Sequence, residues 1–198
     1  MSASSEFSLR SPPKSVLTDI VWWRDCLSRP FCGTSIQSPP LLSDLHIWVD
    51  ASTSWGIGVV FNGHWAAWKL QLGWNSDGRN IGWAEMVAIE LGLLFTVSFG
   101  YNNLHFKLFS DNQGVIHALD NGRSRSPQQN RVLQRIVTIM RIHSICISIS
   151  YISSSNNPAD RPSRGLIPSD SSLKLIPPPL PNHLLSFLSP LIPAEAQC

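Results

Sequence analysis

Leu45-His46-Ile47-Trp48-Val49-Asp50 decides the fold class. Leu45, Ile47 and Val49 alternate with His46, Trp48 and Asp50, the pattern of a strand with one apolar face, and the carboxylate stands at its carboxyl end on the other face. Downstream, Trp55 to Phe61 is rich in β-formers, and Asn62-Gly63 turns it back into His64 to Leu70. Trp83 to Phe99 lacks proline and carries Val87, Leu91 and Leu94 at helical spacing, with Gly100 placed to cap it. Leu104 to Ser110 alternates again and leads into Asp111. A short helix closed by Asn121-Gly122 follows. Ser126-Pro127-Gln128-Gln129, a capping box with proline at the first helical position, then opens a helix to about His143. Ile145 to Ile152 reads as the last strand. The order β-β-β-α-β-α-α-β predicts an α/β domain built on a five-stranded mixed sheet with helices on both faces.

Prolines and serines gather at both ends, which sets expected boundaries at 1–41, 42–165 and 166–198. The last segment, Pro-rich, is expected to be a poorly ordered tail. Leu175 to Ala194 is uncharged, but Pro177, Pro178, Pro179, Pro181, Pro190 and Pro193 leave no proline-free run near the ~20 residues of a membrane span. The chain has 198 residues, 43% hydrophobic and 14% charged. That is enough apolar surface for a core, and it excludes a charge-driven disordered protein. A net charge of +2 does not by itself mark a nucleic-acid binder. Cys26, Cys32, Cys146 and Cys198 form no C-x-x-C pair, so neither a disulfide scaffold nor a zinc site is expected. Ser2 to Ser15 has no apolar core of a signal peptide, and an intracellular, cytoplasmic or nuclear location is the expectation.

Four acids carry the chemistry. Asp50 and Asp111 both end predicted strands on the face opposite the apolar residues. If those strands are parallel neighbours, the hairpin strands lie to one side and the later strand to the other, and the carboxylates meet at a topological switch point. Glu85 points away from the apolar stripe of the long helix, and Asp160 follows the last strand in Asn156-Asn157-Pro158-Ala159-Asp160. Converging carboxylates repel and raise one another's pKa, and hard divalent cations resolve the repulsion. Each acid also fits a commoner role: Asp111 as a helix cap, Glu85 as complement to a helix dipole, Asp160 as turn chemistry.

Asp50-Ala51-Ser52 with Trp55-Gly56-Ile57-Gly58 looks like the first-strand motif of retroelement ribonuclease H domains. Glu85 in Trp83-Ala84-Glu85-Met86-Val87-Ala88-Ile89-Glu90, Asp111 in Ser110-Asp111-Asn112-Gln113-Gly114 and Asp160 in Asn157-Pro158-Ala159-Asp160-Arg161-Pro162-Ser163-Arg164 match the other three motifs in order. Residues 42–165 thus resemble the type 1 ribonuclease H region of reverse transcriptases, above all in retrotransposons that carry tyrosine recombinases. Asp19 to Ile36, with Trp22-Trp23, is more weakly similar to the segment joining polymerase to ribonuclease H. The resemblance implies a ribonuclease H-like fold and cleavage of the RNA strand of an RNA–DNA hybrid with two Mg²⁺ ions, Mn²⁺ being a substitute. It implies that Asp50 bridges both ions, Glu85 and Asp111 complete one site, and Asp160 helps hold the other. It also implies a polymerase domain supplied separately as partner; a monomer and no membrane are the further expectations. Two features depart from the pattern. Ser153-Ser154-Ser155-Asn156-Asn157 lacks the loop histidine that many relatives carry, and no Tyr-x-Asp-Asp polymerase motif is present. A binding fragment without turnover, and a DNA-processing nuclease of the same superfold, are the rival readings.

Tyr101 to Gly165 contains eight basic residues against three acids. Arg123 and Arg125 in an expected flexible loop, and Arg131 and Arg135 one turn apart on the next helix, are candidate phosphate contacts, with a solvated helix face as the plain alternative. Asn112 and Gln113 are candidates for the sugar edge, where a 2′-hydroxyl distinguishes RNA. The tryptophans of the hairpin are expected to pack rather than stack on bases.

Overall fold

In the computed structural model, residues 11, 13–28, 40–176 and 178–191 are described. Two compact units, Met1–Ser38 and Pro39–Cys198, divide the chain. The first contains helix α1, Lys14–Ser28, in which the Trp22 and Trp23 rings meet edge to face at 5.0 Å. Residues 1–10 and 192–198 of the expected tails, and the part of 19–36 beyond Ser28, lie outside the described residues.

The second unit follows the expected element order: β1 Leu42–Ala51, β2 Gly56–Phe61, β3 His64–Leu70, α2 Ile81–Ser98, β4 His105–Ser110, α3 Gln113–Asp120, α4 Pro127–Ile142 and β5 Cys146–Tyr151. Local chemistry sets the boundaries. Asn62 and Gly63 both take positive φ (48° and 72°), the geometry of a tight hairpin turn. Asn80, Asn112 and Ser126 cap α2, α3 and α4 by accepting from the backbone N–H three residues on. The capping box at Ser126 forms only in part: Gln129 turns away to accept a 2.6 Å bond from Ser124 Oγ.

Strand order is β5-β4-β1-β2-β3, with β1, β4 and β5 parallel and β2 antiparallel to both neighbours. Ile47, Val49, Ile57, Val59, Phe61, Ala66 and Trp68, all but shut off from solvent, form one face of this sheet. Against that face lies α2, apolar on nearly every side because α4 covers its back. It is long and apolar enough to cross a membrane, but most of it is buried inside the domain. A Cβ on Gly92 would stand 2.9 Å from Val49 Cγ1, so glycine sets how closely α2 approaches β1. The other face, over β2 and β3, is covered by the short helix α5, Asp160–Ser163, and by Leu173, Leu175 and Leu191 around Trp65.

The C-terminal segment departs most from expectation. Five strands were expected, and two more come from the Pro-rich stretch: β6, Lys174–Leu175, and β7, Leu188–Pro190, both paired with β3. Prolines limit helix there to a single 3₁₀ turn, Asn182–Leu184, but are tolerated in short edge strands. Leu184 and Leu188 enter the main core, Gln71 Nε2 donates to the carbonyls of Leu185 and Leu188, and the Arg79 guanidinium lies 4.1 Å from the Phe187 ring centroid. His183 Nε2 reaches Glu90 Oε1 at 2.8 Å, and the same carboxylate takes both arms of Arg135 at 2.7 and 2.8 Å. Glu90 is 1% exposed, so those partners offset its desolvation.

Burial raises the Glu90 carboxyl, but the bonds and charges of His183 and Arg135 outweigh it and hold the pKa below its ordinary 4.5. An acid lowered in this way stabilises the fold above its unfolded pKa, and the gain disappears as pH falls through the folded value. His183→Ala, which leaves only Arg135 on a buried carboxylate, is expected to lower stability at pH 7 by about 1–2 kcal/mol. Urea unfolding of the full chain measures this, and an unchanged midpoint would deny the segment its role.

Candidate metal centre

β1 and β4 are adjacent and parallel, with Trp48 opposite Phe109. Two residues further on, Asp50 and Asp111 leave the sheet side by side. Asp50 is the last but one residue of β1, 3% exposed and paired with Gly58. That glycine is required. A Cβ on it would lie 2.5 Å from Ser163 N and 2.6 Å from the Ala159 carbonyl. Only a bare backbone lets α5 close over β2 and bring the buried Ser163 hydroxyl onto Asp50 Oδ2. Asn157, itself buried, anchors the same loop: its Nδ2 donates to the Val49 carbonyl at 2.9 Å and its Oδ1 accepts from Ala159 N at 3.1 Å.

Glu85 comes from α2 and is 4% exposed. Because Asn80 caps the helix and Ile81 begins it, two residues before the expected Trp83, Glu85 falls in the second turn. One oxygen from each of Asp50, Glu85 and Asp111 lies within 4.8 Å of the others. Asp160 lies outside that group, in a bidentate ion pair with Arg164 (2.8 Å) that also takes the Ser154 hydroxyl. Of the four expected acids, three therefore converge and the fourth is held beside them by a cation of its own.

The electrostatics follow from burial and crowding. Desolvation pushes the Asp50 carboxyl up to about 7; the Ser163 bond opposes this, and the charges of Asp111 and Asp160 add to it. Desolvation also pushes Glu85 up to about 9, with Asp50 and Asp111 adding and bonds from the Asn112 side chain and the Ala51 backbone opposing. Asp160 is lowered, first by its bonds from Arg164. Glu85 Oε2 is buried and has no hydrogen-bond partner. An unpartnered carboxylate oxygen among crowded, all-oxygen donors fits a hard divalent cation such as Mg²⁺ or Mn²⁺.

Among the expected nucleic-acid contacts, Asn112 is half-buried and divided between capping α3 and bonding Glu85, whereas Gln113 is exposed beside it. Arg123 and Arg125 are exposed and line a cavity of about 660 Å³ with Gly114, His117, Asn121 and Ser124. Ser124, between them, is bonded to Asn130, which accepts from Ser124 N at 2.6 Å and donates to its carbonyl at 2.9 Å. Arg131 is exposed, 3.5 Å from Gln128. Arg135, the fourth candidate phosphate contact, pairs with the buried Glu90 carboxylate at 2.7 Å. In the hairpin, Trp65 and Trp68 pack inside. Sequence reasoning assigned no role to Ser163, Arg164 or Asn157. For Asn157 a signal existed, since its spacing to Ala159 is that of an Asx turn.

No family model and no curated protein matches the chain. Among solved structures, RNase H1 from the archaeon Halobacterium salinarum is similar at a TM-score of 0.42 and 18% identity, over 58% of this chain and 89% of that one. The N-terminal RNase H domain of a Mycobacterium tuberculosis protein, solved as a fusion with maltose binding protein, is similar at a TM-score of 0.45 and 15% identity, over 62% of this chain and 97% of that one.

An acid raised by folding destabilises the native state above its unfolded pKa. In the presence of a chelator, stability should therefore fall as pH rises from about 5 toward 9, through the values of Asp50 and then Glu85. Glu85→Gln should flatten that slope and stabilise the metal-free protein at pH 8 by on the order of 1–3 kcal/mol. Mn²⁺ should raise the wild-type midpoint but not the variant's to the same extent. Thermal unfolding at several pH values checks all three. A flat wild-type profile would mean that burial and crowding do not raise these acids.

Proposed function

We propose that this chain is a ribonuclease H-like nuclease that hydrolyses the RNA strand of RNA–DNA hybrids, and that it derives from a retroelement. The observation that carries the reading is the convergence of Asp50, Glu85 and Asp111 from separate motifs, with Asp160 held at their edge and one Glu85 oxygen unpartnered. Motif order supports the retroelement origin, and with it a polymerase domain supplied as a separate partner. On this reading the protein works as an intracellular monomer.

Divalent cations, Mg²⁺ by preference, would be held by the four acids and would supply Lewis-acid activation of water and charge neutralisation at the phosphate. The chain's own residues do the rest. Ser163 holds Asp50 Oδ2, which leaves Oδ1 as the oxygen that Asp50 could offer. Glu85 and Asp111 would complete one cation site, and Asp160 would serve a second. Asn112 restrains Glu85 from the start of α3. Gln113 is exposed where a 2′-hydroxyl can reach it, and Arg123, Arg125 and Arg131 offer cations to backbone phosphates.

Purified full-length chain, which keeps the segment that completes the β3 edge, should cut an end-labelled RNA–DNA hybrid in Mg²⁺ or Mn²⁺ and leave RNA duplex and DNA duplex intact. Asp111→Asn should lower the rate by on the order of 1,000-fold, roughly 4 kcal/mol of barrier. Cutting of DNA duplex would move the protein to the DNA-processing class. Tight hybrid binding with no cutting in either metal would leave a binding fragment.

A further inference from the structure

The two oxygens of Asp160 are not equivalent. Oδ1 accepts from Arg164 Nη2 at 2.8 Å, from Arg164 Nε at 3.1 Å and from Ser154 Oγ at 3.1 Å. Oδ2 receives only a share of the Arg164 Nε at 3.2 Å. A guanidinium fork fixes the plane of a carboxylate as a single point charge does not. Arg164 sits one turn after Asp160 at the C-cap of α5, where its backbone N–H closes on the Arg161 carbonyl at 3.0 Å. The same turn carries Ser163, whose hydroxyl bonds both Asp50 Oδ2 and the Asp160 carbonyl. Its four residues and their cap thus hold two of the four acids, and the charges of Asp50 and Asp111 also reach the guanidinium.

We propose that Arg164 is a positioning residue for the second cation: with Ser154 it clamps Asp160 Oδ1 and thereby leaves Oδ2 as the ligand oxygen for a divalent cation shared with Asp50. This rests on the reading of the four acids as a two-cation centre. A fixed positive charge beside a ligand also repels an incoming cation, so positioning and repulsion have opposite signs. Removal of Arg164 weakens the second cation if positioning dominates and tightens it if repulsion does.

The test is a Mn²⁺ titration of the full-length chain, read by calorimetry and by the spin-resonance signal of free Mn²⁺. Wild type should take two ions. Arg164→Ala should keep the first and lose about 10–100-fold in affinity for the second. Arg164→Lys, which keeps the charge but not the fork, should stay nearer to alanine than to wild type. Raised metal should restore kcat in both variants with KM for hybrid unchanged. Arg164 is half exposed, and circular dichroism without metal should show both variants folded. Unchanged or tighter second-ion binding in Arg164→Ala, or full recovery in Arg164→Lys, overturns the proposal and leaves the metal reading standing. A wild-type chain that takes one ion overturns the proposal alone, and one that takes none overturns both.

Discussion

The parallel pairing of β1 with β4 is the constraint on which the site depends. It places Asp50 beside Asp111, two carboxylates that would separate if their strands were free to do so. Like charges at this spacing, with Asp50 buried, cost free energy at neutral pH, and the surrounding structure must supply it. The supply is visible around β1. Ile47 and Val49 are wholly buried under α2, Gly92 lets that helix approach, and Gly58 lets α5 close from the opposite side. β1 is therefore gripped on both faces, and its last residues have little freedom to relieve the repulsion.

α5 shows how little chain is needed. Four residues follow a loop whose Asn157 is bonded to the Val49 carbonyl, so the loop is anchored to the strand that carries Asp50. Once there, Ser163 and Arg164 act on different acids from successive positions. A short turn can do this because its register is set by close contact of its backbone and of buried Pro162 with Gly58.

Elements governed by local rules were legible in the sequence. The alternation of Leu45 to Asp50, the Asn62-Gly63 turn and the cap at Ser126 each act within a few residues, and each stands where local chemistry puts it, whereas α3 is capped by Asn112, one residue after the Asp111 that the sequence offered. Relations between distant residues were not legible. Arg135 looks like any exposed helix arginine until Glu90, 45 residues away, is seen to be buried beneath it. The Pro-rich end lacks helix or strand periodicity because its two short strands borrow order from the β3 edge, and a borrowed strand leaves no pattern of its own. Of the site, the four acids could be named from their motifs. That Asp160 would stand apart, paired with Arg164, could not, since an i,i+4 pair on so short a helix looks the same whether it binds a ligand or only itself.

Two buried carboxylates on one helix distinguish scaffold from chemistry. Glu85 and Glu90 are five residues apart on α2 and almost equally hidden, yet the first is pushed up to about 9 and the second is held below 4.5. Burial opposes ionisation in both, so desolvation cannot account for the difference. Glu90 is given an arginine fork and a histidine from two other elements, whereas Glu85 is given two more carboxylates and an asparagine. The fold thus has the means to neutralise a buried acid and uses them on one of the pair. Among the described residues no cation bonds Glu85, and its second oxygen has no donor. A structural acid left in that condition would be a defect readily removed by a single change to glutamine. Its presence beside Asp50 and Asp111 makes sense where the charge to be met comes from outside the chain.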